Sequence, residues 1–154
     1  MENKVLDWHS YFMALSKVSA LRSKDPNTKV GACIVDDNKR VVSLGYNGMP
    51  RGDDKNFSWK RDNEKAADNK YAYVIHAEIN AILNANKQID SKCVLYVSLF
   101  PCSNCAKIIA QVGINQLYYE EDKYNGTEDD IISKKILDSL EVKYKKIPKV
   151  SFSI

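Results

Sequence analysis

The chain has 154 residues, 44% of them hydrophobic and 28% charged, the balance of one globular domain with room for a core. That composition excludes intrinsic disorder, collagen-like repeats and coiled coil, and no apolar run approaches the ~18–20 residues that cross a bilayer. With 23 Lys and Arg against 20 Asp and Glu, the positive excess is too small and scattered to argue for a nucleic-acid polymer as partner.

The first residues, Met1-Glu2-Asn3-Lys4, lack the pattern of a secretory signal, so a cytoplasmic protein with no membrane attachment is expected. A first helix is predicted over about 7–22. Trp8, Tyr11, Phe12, Leu15 and Val18 recur at helical spacing behind Asp7 as N-cap, facing the core or a subunit interface, and the run stops at Arg22-Ser23-Lys24-Asp25-Pro26. Residues 30–35 and 41–46 read as a hairpin around the turn Asp36-Asp37-Asn38-Lys39. From about 47 to 70 the chain has Gly48, Pro50, Gly52, many charges and no period. A loop that long inside a compact domain points to a functional site. Helices are then predicted at 76–87, 103–112 and 128–140, alternating with strands at 93–99, 115–120 and 142–147. The order implies an α/β fold in one domain over 1–154: a mixed five-stranded sheet, a β-hairpin followed by parallel strands, with helices on both faces. The basic cluster Lys143, Lys145, Lys146 and Lys149 reads as a solvated chain end.

The four cysteines are Cys33, Cys93, Cys102 and Cys105. Cys33 and Cys93 fall in predicted strands and are expected to pack as small hydrophobes. Cys102 and Cys105 form a Cys-x-x-Cys, which in an intracellular chain reads as metal or redox chemistry. Some 24 residues before it stands His76-Ala77-Glu78. Both pieces fall where the chain enters a helix, where the dipole and free N–H groups favour thiolates. His76, Cys102 and Cys105 supply three zinc ligands, and three ligands with an open position is the catalytic arrangement. Zinc lowers the pKa of bound water to about 7, and Glu78 is the nearby carboxylate that could carry the proton. Residues two apart on a regular helix point ~200° apart, so spacing alone does not bring Glu78 to a metal held by His76. A thioredoxin-like reading of Cys-x-x-Cys would want the motif after the first strand.

The combination H-x-E with P-C-x-x-C resembles the zinc-dependent nucleobase deaminases. Over nearly the whole chain the sequence is similar to the cytidine and deoxycytidylate deaminase superfamily, and to its deoxycytidylate (dCMP) branch in particular. The resemblance is carried by Trp8…Tyr11-Phe12-Met13, Arg22-Ser23-Lys24-Asp25-Pro26-Asn27, Val30-Gly31-Ala32-Cys33-Ile34-Val35 and Gly45-Tyr46-Asn47-Gly48-Met49-Pro50. It continues in His76-Ala77-Glu78-Ile79-Asn80-Ala81, Phe100-Pro101-Cys102-Ser103-Asn104-Cys105 and Asp122-Lys123-Tyr124. It implies the three-layer α/β/α fold of that superfamily and one catalytic Zn2+ per chain. The implied reaction is hydrolysis of dCMP to dUMP and ammonia, with Glu78 moving protons to N3 and to the leaving amine; dUMP feeds dTMP synthesis.

The resemblance also implies substrate contacts from Asn47 to the sugar, from Ala77 main chain to the base, and from Tyr124. Lys123 would meet a phosphate, and Asn27 lies near enough to contribute. Asn47-Gly48 would equally make a turn. Regulation by dCTP as activator and dTTP as inhibitor, and a homohexamer, are implied too. The effector nucleotide, with Mg2+, would sit between subunits near Arg22, Tyr46, Asn47 and Gly48. Relatives with a second, structural zinc place Cys and His around the long loop; residues 34–75 contain neither, so one zinc is expected. Two other readings stand beside this one. A tRNA adenosine deaminase shares the zinc motif, and a non-catalytic zinc domain would recruit Cys93 or His9 as fourth ligand.

Overall fold

The computed structural model describes residues 4–154. Helix α1 (Trp8–Ala20) starts at Asp7, whose carboxylate accepts from the Ser10 N–H. The hairpin is β1 (Gly31–Val35) and β2 (Val41–Tyr46), and α2 (Ala77–Leu83) follows the long loop. Then come β3 (Val94–Leu99), α3 (Ser103–Val112), β4 (Gln116–Glu121), α4 (Glu128–Ser139) and β5 (Lys143–Lys146). The sheet runs β2-β1-β3-β4-β5, antiparallel across β2-β1-β3 and parallel across β3-β4-β5. The expected sheet is therefore the one found.

Two apolar layers sandwich it. Phe12 and Met13 of α1 pack on Cys33, Val35 and Tyr96, joined by Ile147 and Val150 of the C-terminal segment. On the other face Ala77, Ala81, Ile109 and Leu137 of α2, α3 and α4 cover Ala32, Ile34, Leu95, Val97 and Leu117. Strand β1 lies inside the sheet and is buried throughout, which is why it reads as a continuous apolar run. Edge strand β5 is Lys-Tyr-Lys-Lys, and its exposed lysines discourage pairing with another chain. The C-terminal segment is latched by Glu120, which accepts from Lys17 Nζ at 2.9 Å and from the Val150 N–H at 2.9 Å.

Two boundaries differ from expectation by four residues or more. Helix α2 ends at Leu83, four residues early, at Asn84-Ala85-Asn86; asparagine competes with the helix for backbone hydrogen bonds. The long loop runs on to Ile75, where paired bonds with Gly48 (3.0 and 2.8 Å) close its ends. It is ordered by short 3₁₀ turns at Pro50–Gly52, Ala66–Asp68 and Lys70–Ala72. Among the described residues no helix is long and apolar enough to cross a membrane.

Candidate active site and metal centre

The site lies where α2 and α3 begin. A Cβ on Gly45 would come 2.4 Å from the Ala77 carbonyl oxygen and 2.5 Å from the Ala81 nitrogen, so only glycine lets the first turn of α2 lie this close on β2. Asn80 fixes the entry, donating to the Tyr46 carbonyl at 2.8 Å. His76 is the N-cap of α2 in extended conformation, and Glu78 is in the first turn. The bend at the cap removes the ~200° divergence a regular helix would impose. Cys102 is likewise the N-cap of α3 and Cys105 lies in its first turn.

His76 Nδ1 stands 3.3 Å from Cys102 Sγ and 3.3 Å from Cys105 Sγ. All three donor atoms lie within 4.8 Å of one another. Tetrahedral zinc with bonds of about 2.3 Å to sulfur and 2.0–2.1 Å to nitrogen sets N···S edges of about 3.5 Å. The donor set therefore fits zinc in both chemistry and spacing. Neither Cys93 nor His9 belongs to the group; His9 Nδ1 bonds the Tyr96 hydroxyl at 2.7 Å.

The hydrogen bond from Cys105, reinforced by His76, holds the Cys102 thiol down to about 4. That same bond and burial push Cys105 up, and the bond to Cys102 raises His76. Glu78 is 3% exposed. Burial pushes its carboxyl above the ordinary range, opposed by the charge of His76 and a hydrogen bond with Cys105. The result is a carboxyl group beside the donors but outside their set, at the wall of a cavity of about 630 Å³.

The family model for the cytidine and deoxycytidylate deaminase zinc-binding region matches residues 6–121. The chain belongs to that family. It is 46% identical over 148 residues to human deoxycytidylate deaminase, covering 95% of this chain and 83% of that one. It is 49% identical over 147 residues to the probable deoxycytidylate deaminase of Drosophila melanogaster, covering 92% and 72%. Among solved structures, the dCMP deaminase of cyanophage S-TIM5 in complex with dCMP and dUMP superposes with a TM-score of 0.64. That match has 27% identity and covers 91% of this chain and 93% of that one. The family is one of zinc-dependent hydrolases, and His76, Cys102 and Cys105 are the residues here that would hold the ion.

Helix α4 braces the ligand turn. Asp129 accepts from Ser103 N–H (3.1 Å) and Ser103 Oγ (2.5 Å), beside Cys102, and Ser133 Oγ donates to the Pro101 carbonyl at 2.8 Å. Residues that orient metal ligands commonly carry 10–100-fold of affinity. Asp129→Ala is accordingly expected to lose zinc about 10-fold faster to a chelator, with one zinc per chain in the wild type; elemental analysis against time checks both.

The other sequence-predicted residues separate. Asn47, Ala77 and Tyr124 line the cavity; Asn27 lines a neighbouring open groove instead. Lys123 stands at the rim, its ammonium 2.9 Å from Thr28 Oγ1 and 5.1 Å above the Tyr124 ring. Arg22, Tyr46 and Gly48 do not line the cavity. Asn47 is 6% exposed and heavily committed. Its Nδ2 donates to Thr28 O (2.9 Å) and Asp25 Oδ2 (3.3 Å), and its Oδ1 accepts from the Val30 N–H (2.9 Å). A ligand is left only the second lone pair on Oδ1.

Missing from the sequence reading is the pair behind Asn47. Lys70 Nζ lies 3.0 and 2.8 Å from the two Asp25 oxygens, with both side chains under 8% exposed. Asp25 Oδ1 also accepts from the Asn27 and Thr28 N–H groups. The Asp25-Pro26-Asn27 turn signature was visible in the sequence; its partner 45 residues away was not.

Proposed function

We propose that this chain is a zinc-dependent deaminase of free dCMP, forming dUMP and ammonia. The observation that carries the reading is Glu78, a buried carboxyl in the first turn of α2 that lines the same cavity as the donors yet lies outside their set. Zinc, when bound, supplies a Lewis acid that makes hydroxide available at neutral pH. Glu78 takes the proton of the water that adds to C4 and delivers it to N3. It then takes the proton of the new C4 hydroxyl and passes it to the amine, so that the C4 carbonyl forms as the C4–N4 bond breaks and ammonia leaves. Ala77, Leu99, Phe100 and Pro101 would wall the space for the base, and Tyr124 lines the same cavity. The substrate class is supported by the identity to relatives named for dCMP deamination.

The same reading extends to the whole 1–154 domain working in the cytoplasm as a homohexamer, with dCTP activating and dTTP inhibiting. Arg22, Tyr46 and Gly48 stand outside the cavity, as an effector site bringing a nucleotide and its Mg2+ would require. The test is turnover by the zinc-loaded protein on dCMP, CMP, cytidine, dCTP and a tRNA anticodon stem-loop. The expected result is selective loss of dCMP, faster with dCTP and slower with dTTP. Deamination of the stem-loop alone would make the chain a tRNA adenosine deaminase, and silence on every substrate with zinc bound would leave a non-catalytic zinc domain.

A further inference from the structure

The cavity is acidic, and a nucleotide is anionic. Its wall carries Asp25, Glu78, Asp122, Asp129 and Asp130 against two full cations, Arg61 and Lys70. Most of these charges are already matched. Lys70 is spent on Asp25, both buried. Lys134, behind the wall, lies 3.1 Å from Asp122 and 2.9 Å from Asp130. Asp129 accepts two bonds from Ser103, and Glu78 lines the wall beside the metal donors. A phosphate that is largely dianionic at neutral pH would therefore meet net repulsion unless a cation were left over.

Arg61 is that cation. Among the described residues it forms no ion pair. It lies on the divide between the cavity and the adjoining open groove, lining both. Its place is fixed by backbone: the Lys70 N–H donates to the Lys60 carbonyl at 2.7 Å, so the segment carrying Arg61 is tied to the residue clamped on Asp25. Further out, Trp59 Nε1 donates to Asp54 at 2.8 Å, and Lys24 holds the same carboxylate at 2.6 Å. Lys123, the cation expected from sequence, is at the rim on Thr28 Oγ1 and outside the cavity lining.

We propose that Arg61, carried by the long loop, receives the 5′-phosphate of the substrate and sets the preference for a nucleotide over a nucleoside. The inference rests on the dCMP reading above and deepens it. A guanidinium suits the task because its planar fork binds two phosphate oxygens at once. The loop between β2 and α2 then has a function: it brings the charge that the sheet and helices lack.

The experiment compares wild type, Arg61→Ala and Arg61→Lys on dCMP and on deoxycytidine, with inorganic phosphate as competitor. For dCMP, Arg61→Ala is expected to raise KM about 10- to 100-fold, the worth of a charge-assisted bond, with kcat changed far less. Arg61→Lys should recover part of the loss. Turnover of deoxycytidine should not change, and phosphate should compete in wild type but not in Arg61→Ala. Because the side chain is exposed, zinc content and Tm should match wild type. A dCMP KM within twofold of wild type in Arg61→Ala overturns the proposal, as does the same loss appearing in Lys123→Ala instead. Wild type that ignores dCMP would overturn the proposed function itself, a result separable from an active wild type with an indifferent Arg61→Ala.

Discussion

Glu78→Gln is expected to lower kcat for dCMP about 10³-fold, within the range that a positioned proton carrier contributes, while zinc stays bound at one ion per chain. The amide has the shape of the carboxyl and can still donate and accept hydrogen bonds, but it cannot take a proton from water and return it. Zinc should be retained because Glu78 is not among the three donors. Tm should not fall, because an amide at this 3% exposed position carries no charge to be desolvated. Steady-state kinetics, elemental analysis and thermal melting read the three parts separately. Turnover within tenfold of wild type would remove Glu78 from the chemistry. Loss of zinc along with turnover would instead make it part of the metal site.

That Glu78 and His76 line one cavity shows what a sequence can and cannot carry. Residue types and the 24-residue interval named the donors and the carboxyl, because metal chemistry restricts the choice so strongly. Geometry did not follow, since periodicity describes helix interiors and His76 is a cap. The hairpin, the parallel strands and α1 were legible from apolar spacing. The end of α2 at Leu83 was not, because weak helix formers shift a boundary without breaking a pattern. Charged residues in the aperiodic loop gave no local sign of their partners. Lys70 and Arg61 look alike there, yet one is locked on a carboxylate and the other is open to the cavity. Likewise nothing in the sequence singles out Asp129 and Ser133 on the helix at 128–140, and only the packed structure sets them against the ligand turn.

The largest expected effect on stability belongs to Lys70→Met. Removing one member of a buried pair leaves the other charge desolvated and unmatched, a loss of about 3–5 kcal/mol. In a domain of this length that lowers Tm by roughly 10 °C. Asp25→Asn should cost a similar amount, and the double variant less than the sum, because no lone charge remains. The pH dependence follows from Asp25. Burial alone would raise its carboxyl, but Lys70 and the N–H groups of Asn27 and Thr28 outweigh it and hold it below its ordinary range. A depressed carboxyl contributes stability above its unfolded pKa of about 3.9, and that contribution is lost as pH falls through the folded value. The gap in Tm between wild type and Lys70→Met should therefore be full from pH 5 to 8 and close as the solution is made more acidic than about pH 4. Function should follow stability, because the same carboxylate holds Asn47 and the Thr28 N–H at the cavity wall. Below its lowered melting point, Lys70→Met should show a raised KM for dCMP, the loss falling on binding more than on kcat. A variant with wild-type Tm at pH 7 would mean that the pair contributes nothing net, and that Asn47 is held by its bonds to Val30 and Thr28 alone.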